Sequence, residues 1–131
     1  MSQKNKIIEF QVLNQEVQKL QEQLQNINNS VQELQILKTS LEELNDVKDK
    51  EILIPLGQGI FTKGNIKNTD ELITNVGSNI LIEKNLNDTK NMVKKNILNL
   101  SNILEKTEEE INKNVEKLQE LQTEISKEKK Q

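Results

Sequence analysis

Spacing of apolar residues constrains this chain more than any other feature. From the N-terminal side they fall at Phe10, Leu13, Val17, Leu20, Leu24, Ile27, Val31 and Leu34. Those steps alternate between three and four residues, which is the heptad seam of a coiled coil. The next position would be Lys38, with Leu37 beside it, and the stripe resumes at Leu41 and Leu44. The run Leu34, Leu37, Leu41 reads as a three-residue stammer, a local change of supercoil. No glycine or proline interrupts residues 1–54, and a helix of about 40 residues would be roughly 60 Å long. The C-terminal part repeats the design at Val93, Ile97, Leu100, Leu104, Thr107, Ile111, Asn114, Leu118, Leu121 and Ile125. Asn87 or Asp88 is the expected N-cap of this second helix. Asn114 lies on the seam, and in so Asn-rich a chain its position reads as composition rather than register control.

A stripe this narrow cannot stabilise a lone helix in water, so each helix needs a partner. Two helices of equal length, joined through a compact middle, can return antiparallel and cover one another. Composition agrees: only 33% of the 131 residues are hydrophobic, the sole aromatics are Phe10 and Phe61, and Gln, Asn, Glu, Lys, Leu and Ile make up most of the rest. That balance favours extended helices over a large globular core.

Helical logic stops in the middle. Residues 51–86 contain all four glycines and the only proline. EILIPL reads as a strand with Ile52, Ile54 and Leu56 on one face. Gly57-Gln58-Gly59 turns the chain into IFTKGNI, with Ile60, Thr62 and Ile66 on one face. DELITNV is a third strand carrying Ile73 and Val76. Gly77-Ser78-Asn79 then leads into ILIEKNL, with Ile80 and Ile82. Gly57, Gly59, Gly77 and Asn79 are the turn residues suited to positive φ. Two hairpins are too few strands to cover an apolar face, and their edges stay open. The sequence therefore predicts an oligomer whose subunits share strands, with Ile52, Ile54, Leu56, Ile60, Ile66, Ile73, Val76, Ile80 and Ile82 as the oligomerisation residues.

Several function classes are disfavoured. Formal net charge is −3, and all 18 basic residues are lysines. Without arginine, bidentate capture of phosphate or guanine is lost, and with only two aromatics base stacking has almost no platform. No nucleic-acid partner is expected. The absence of Cys and His removes disulfides and thiolate or imidazole metal sites. Gly57-Gln58-Gly59 lacks the third glycine and following helix of a dinucleotide loop, and no phosphate-loop Gly-Lys-Ser/Thr occurs. Glu108-Glu109-Glu110 sits mid-helix as a solvated face. The expectation is no enzyme, no catalytic residue, no cofactor and no metal. The longest apolar run is the five residues Ile52–Leu56, far short of a membrane span, so no membrane partner is expected either.

The stretch ILIPLGQGIFTKGNIKNTDELITNVGSNILIEKNLNDTKNMVKKNI, residues 52–97, resembles a prefoldin subunit of the α class, the archaeal-like type with two hairpins. Strand, Pro-Leu-Gly-x-Gly, strand, Asp-x-x-x-x-x-Val-Gly-x-x, strand and Glu-Lys into a helix is the pattern that carries the likeness. The flanking helices match only in length and period. Where family members often have a second glycine and an aromatic after Val-Gly-x, this chain has Asn79 and Ile80. The resemblance implies a hetero-hexamer of two α-type and four β-type subunits whose hairpins build β-barrels. It further implies an ATP-independent holdase in the cytoplasm, which captures unfolded polypeptides and delivers them to a group II chaperonin.

The expected fold is thus α+β: a long antiparallel two-helix coiled coil joined through two β-hairpins that form an intersubunit β-barrel platform. The expected parts are an N-terminal helix (1–50), the hairpins (51–86) and a C-terminal helix (87–131), together one domain. Antiparallel helices would bring the chain ends together at a tip. Ile7, Ile8, Phe10, Val12 and Leu13 crowd seven positions there, more than one seam absorbs. With Leu118, Leu121 and Ile125 they form the expected client-binding set. Several weak patches on one frame would hold a non-native chain by multivalency. The lysine-rich end, residues 127–130, reads as solubilising. The competing expectation is a coiled-coil scaffold or filament-forming relative without client binding.

Overall fold

The computed structural model describes residues 3–129, with the side chains of residues 45, 128 and 129 outside the description; the basic C-terminal end therefore lies largely outside the described residues. The elements run in order: helix α1 (Gln3–Glu43), a 3₁₀ turn (Leu44–Val47), strands β1 (Glu51–Gly57), β2 (Ile60–Asn65), β3 (Glu71–Asn75) and β4 (Leu81–Asn85), and helix α2 (Leu86–Lys129). The chain forms two compact units, residues 1–32 with 99–131, and residues 33–98.

In the first unit the heptad reading holds position by position. Val17 on α1 and Ile111 and Leu121 on α2 are buried, and the seam residues between them are half-buried. The polar seam positions Thr107 and Asn114 are buried as well. Thr107 resolves its hydroxyl within its own helix, donating to the Ile103 carbonyl at 2.8 Å. The helices run antiparallel, since Lys6 near the start of α1 meets Glu124 near the end of α2 (Nζ–Oε2 3.6 Å).

The second unit is built on Leu41, Leu86 and Val93, with Leu34, Leu44, Leu72 and Ile97 packed against them. Val93 is only 1% exposed. Burying such a side chain stabilises by roughly 1.5–3 kcal/mol, so this cluster fixes how α1, β3 and α2 meet. Here the sequence expectation of a stammer fails. Lys38 is half-buried and Leu37 is 42% exposed, so the seam continues from Leu34 through Lys38 to Leu41. A lysine can take a seam position because its methylene stem packs while its ammonium reaches water.

The start of α2 also differs from expectation. Its N-cap is Asn85 rather than Asn87 or Asp88. The Asn85 Oδ1 accepts from the Asp88 backbone N–H at 2.7 Å, and the Asn85 Nδ2 donates back to the Asp88 carboxylate at 3.0 Å. This reciprocal pairing satisfies an orphan helix donor, and it explains why a strand passes into a helix with no loop between them. The Thr89 hydroxyl, nearly buried, donates to the Asn85 carbonyl at 2.9 Å.

β1–β2 and β3–β4 are two separate antiparallel two-stranded sheets. The first is tied at its base by the Asp49 N–H donating to the Ile66 carbonyl at 3.0 Å and by a bridge between Lys48 and Ile66. Ile66 therefore lies past the end of β2, half-buried at the base of the hairpin. It is not a strand residue presented with Ile60, as its spacing had predicted. The second sheet is tied by the Leu86 N–H donating to the Asp70 carbonyl at 2.8 Å.

Candidate interaction surfaces on the hairpins and helix ends

The hairpins follow one design used twice. In the first, Glu51 pairs with Asn65, Leu53 with Lys63 and Pro55 with Phe61; in the second, Glu71 pairs with Asn85, Ile73 with Glu83 and Asn75 with Leu81. Each partner in the second ladder lies 20 residues after its counterpart in the first. The turns agree in dihedral detail: φ is 119°, 53° and 78° at Gly57, Gln58 and Gly59, and 120°, 50° and 62° at Gly77, Ser78 and Asn79. Two central residues at positive φ make the type I′ twist that matches paired strands. Gly57 and Gly77 lie further right than any L side chain readily goes. Asn75 completes the second turn by accepting from the Gly77 N–H at 2.9 Å.

Even the substitutions between the copies compensate. A Cβ at Gly64 would stand 2.7 Å from the Ile54 Cδ1, so a bulky residue at 54 goes with glycine at 64. The equivalent diagonal in the second hairpin is Thr74 with Lys84, where the smaller partner leaves room for a long one. The Lys84 ammonium then reaches the Met92 thioether sulfur at 3.3 Å.

Most of the apolar surface of these hairpins is uncovered. Of the expected oligomerisation residues, Ile54, Leu56, Ile60, Ile73, Val76, Ile80 and Ile82 are exposed, while Ile52 and Ile66 are half-buried. The sequence reading missed Leu53, Phe61 and Leu81, which are also exposed; Phe61 is 56% accessible and Ile73 71%. Leu53 and Phe61 lie on the face of the first hairpin opposite Ile52 and Ile54, and Leu81 shares the corresponding face of the second hairpin with Ile73. The 20-residue repeat was the signal that could have found them, because Leu53 and Ile73, and Phe61 and Leu81, occupy equivalent positions.

The structure divides the residues expected at the helix ends. Ile7, Ile8 and Val12 are exposed, Val12 at 59%. Phe10, Leu13, Leu118 and Ile125 are half-buried along the seam. Leu121 is 9% exposed; it packs inside the seam and offers no free surface, because its heptad position points at the partner helix. Further apolar residues stand exposed off the seam, at Ile36 and Leu98 in the second unit and Ile103 in the first. Among the described residues no helix is long and apolar enough to cross a membrane, and no cluster of acidic residues could hold a metal ion.

Two long seam-forming helices with two β-hairpins between them define a class of coiled-coil subunit that exposes its strands for assembly. A family model described as "Prefoldin subunit" matches residues 13–131. The chain belongs to the prefoldin family of chaperone subunits. Among its relatives, a protein named prefoldin subunit alpha from Methanococcus maripaludis is 37% identical over 114 residues, covering 86% of this chain and 74% of that one. The protein of the same name from Thermofilum pendens is 30% identical over 118 residues, covering 89% and 92% of the two chains. That from Pyrococcus horikoshii is 30% identical over 115 residues, covering 82% and 78%. Among solved structures, filamentous PFD from Methanocaldococcus jannaschii superposes with a TM-score of 0.73 over 92% of this chain and 98% of that one, at 17% identity. That last likeness establishes the fold.

Proposed function

We propose that the chain is the α-type subunit of an ATP-independent holdase, assembled in the cytoplasm as two α-type and four β-type subunits. The complex captures unfolded polypeptides and hands them to a group II chaperonin. One observation carries the client-binding part: Ile7, Ile8 and Val12 are exposed apolar side chains at the start of α1, off the seam that occupies Phe10 and Leu13. Exposed apolar groups beyond what packing uses mark interaction sites. Each binds weakly, and repetition across subunits makes the sum useful without sequence readout. Phe10, Leu13, Leu118 and Ile125 contribute only where the last turns of the helices separate. Assembly rests on the exposed hairpin residues, whose burial against neighbouring strands removes two open-edged sheets from water.

The test is light scattering from a denatured protein diluted into buffer containing the assembled complex. The intact chain is compared with a triple Ile7→Ser, Ile8→Ser, Val12→Ser variant of equal assembly size, and with a chain lacking residues 1–13 and 118–131. Suppression by the intact complex, reduced in the triple variant and lost on truncation, is the expected result. No suppression by the intact complex would put the alternative, an inert scaffold or filament-forming relative, in its place. Equal suppression by all three would keep the chaperone and move its binding surface off the helix ends.

A further inference from the structure

The repeat that makes the two hairpins alike also shows that only one of them is fastened to the helices. On the second, Leu72 packs against the cluster of Leu41, Leu86 and Val93. Lys84, paired with Leu72 across the ladder, reaches the Met92 sulfur of α2 at 3.3 Å. The equivalent pair on the first hairpin is Ile52 with Gly64. Ile52 is not among the residues packed on that cluster, and Gly64 has no side chain to send to a helix. Among the described residues, every hydrogen bond and ion pair made by residues 51–65 stays within the hairpin, the Glu51–Lys63 pair at 3.7 Å included. The first hairpin is held only at its base, where the Asp49 N–H donates to the Ile66 carbonyl and Lys48 bridges to Ile66. Fixed points lie just outside that base. Leu44 packs on the core cluster before it. After it, Thr69 is 2% exposed, and the Asn68 Oδ1 accepts from the Asp70 and Glu71 N–H groups at 2.9 and 3.4 Å.

We propose that the first hairpin is a hinged arm, which turns as one body about residues 47–50 and 66–67 while the second hairpin stays fixed on the helices. The antiparallel ladder from Glu51–Asn65 to Pro55–Phe61 keeps the arm stiff along its length. Motion concentrates where buried apolar contacts are few, and hinges are the few residues at element ends that absorb a change of φ and ψ. Lys48, Asp49, Lys50 and Lys67 are all exposed, so turning there uncovers no core. Asp49 already has φ of 63°, a left-handed setting that its neighbours hold against the preference of a non-glycine residue. Its bond to Ile66 couples the two connectors, so they turn together. The second hairpin lacks this freedom, because swinging it would pull Leu72 out of the cluster and Lys84 off Met92. The chain thus sets the direction of the second hairpin and leaves that of the first to its surroundings. The inference concerns the single chain and stands apart from the assembly reading above.

The test measures distances between spin labels in the full-length chain, which has no cysteine of its own and is diluted into unlabelled chain. One pair, Ile60→Cys with Lys95→Cys, joins the first hairpin to α2. The other, Ile80→Cys with Lys95→Cys, joins the equivalent position of the second hairpin to the same helix site. The expected result is a distance distribution on the order of twofold broader for the first pair than for the second. Equal widths would overturn the proposal. Hydrogen exchange on the unlabelled chain separates a swinging arm from a melted one. Slow exchange of the β1–β2 ladder amides supports the arm, and exchange at the rate of an unfolded chain overturns it. Leu72→Ala/Lys84→Gly, which removes both fastenings of the second hairpin, should broaden the second distribution to the width of the first. A second distribution that stays narrow in that variant would overturn the fastening on which the contrast rests.

Discussion

The helical seam and the hairpins use apolar residues at similar density to opposite ends. Along the seam nearly every apolar side chain from Val17 to Leu41, and from Val93 to Ile125, is buried or half-buried within the one chain. On the hairpins Leu56, Ile60, Ile73 and Ile80 stay exposed. A two-helix seam needs only a second helix, and the chain supplies one. A two-stranded sheet needs a covering layer, and although Leu72 of β3 packs against the helices, these four side chains find no cover among the described residues. The lesson is that the same amino acids encode stability in one region and association in the other, according to whether the element can close on itself.

That contrast can be broken most forcefully in the second unit's core. Leu41→Ala or Leu86→Ala should cost roughly 2–5 kcal/mol, read as a large fall in the thermal midpoint of the isolated chain. Ile73→Ser on the hairpin should leave that midpoint within about 0.5 kcal/mol of stability while preventing assembly seen by sedimentation. Equal thermal losses at both places would erase the distinction between the regions.

The turns come next. Gly57→Ala and Gly77→Ala each force an L side chain to φ near 120°, at a cost on the order of 1–3 kcal/mol. Hydrogen exchange should show faster opening confined to the substituted hairpin, with seam amides unchanged. Because the turns share their dihedrals, the two losses should agree closely.

Asn85 sits where a hairpin ends and the seam helix begins, so Asn85→Ala tests both regions together. Loss of the cap should cost about 0.5–2 kcal/mol, with extra exchange at the amides of Asp88 and its neighbours. A silent substitution would mean that packing of Leu86 alone starts the helix.

The smallest effects sharpen the path of the seam itself. Lys38→Leu should raise stability by about 0.5–1 kcal/mol, since a charged seam residue is carried at a cost, whereas Leu37→Ser should stay within about 0.5 kcal/mol of wild type. The reverse ranking in a denaturant titration would restore the stammer and remove Lys38 from the seam.

Much of this was legible in the sequence because heptad spacing and turn chemistry are local. Phe10 to Leu34 and Val93 to Ile125 announced the helices, and Gly57, Gly59, Gly77 and Asn79 announced the turns. What escaped was decided by neighbours distant in the chain. Leu37 and Lys38 looked interchangeable until the helix phase chose the residue whose direction points inward, and hydropathy alone favoured the wrong one. Asn85 was rightly read as the tail of a strand, but its second role as helix cap escaped because that geometry depends on Asp88 already being helical. Leu53, Phe61 and Leu81 were passed over because each strand was read singly, whereas exposure on both faces is a property of paired strands with no layer over them.

By itself, then, the sequence determined the kind of element at each position and the need of the hairpins for partners, since both follow from periodicity and from the short reach of two strands. Only the tertiary structure decided which residues remain free. It turned Leu121 into the seam and left Val12 outside it, and it set Glu51 beside Lys63 but Glu71 beside Glu83. Exposure and charge pairing depend on which side chains share a face, and a face comes into being only when the elements are paired.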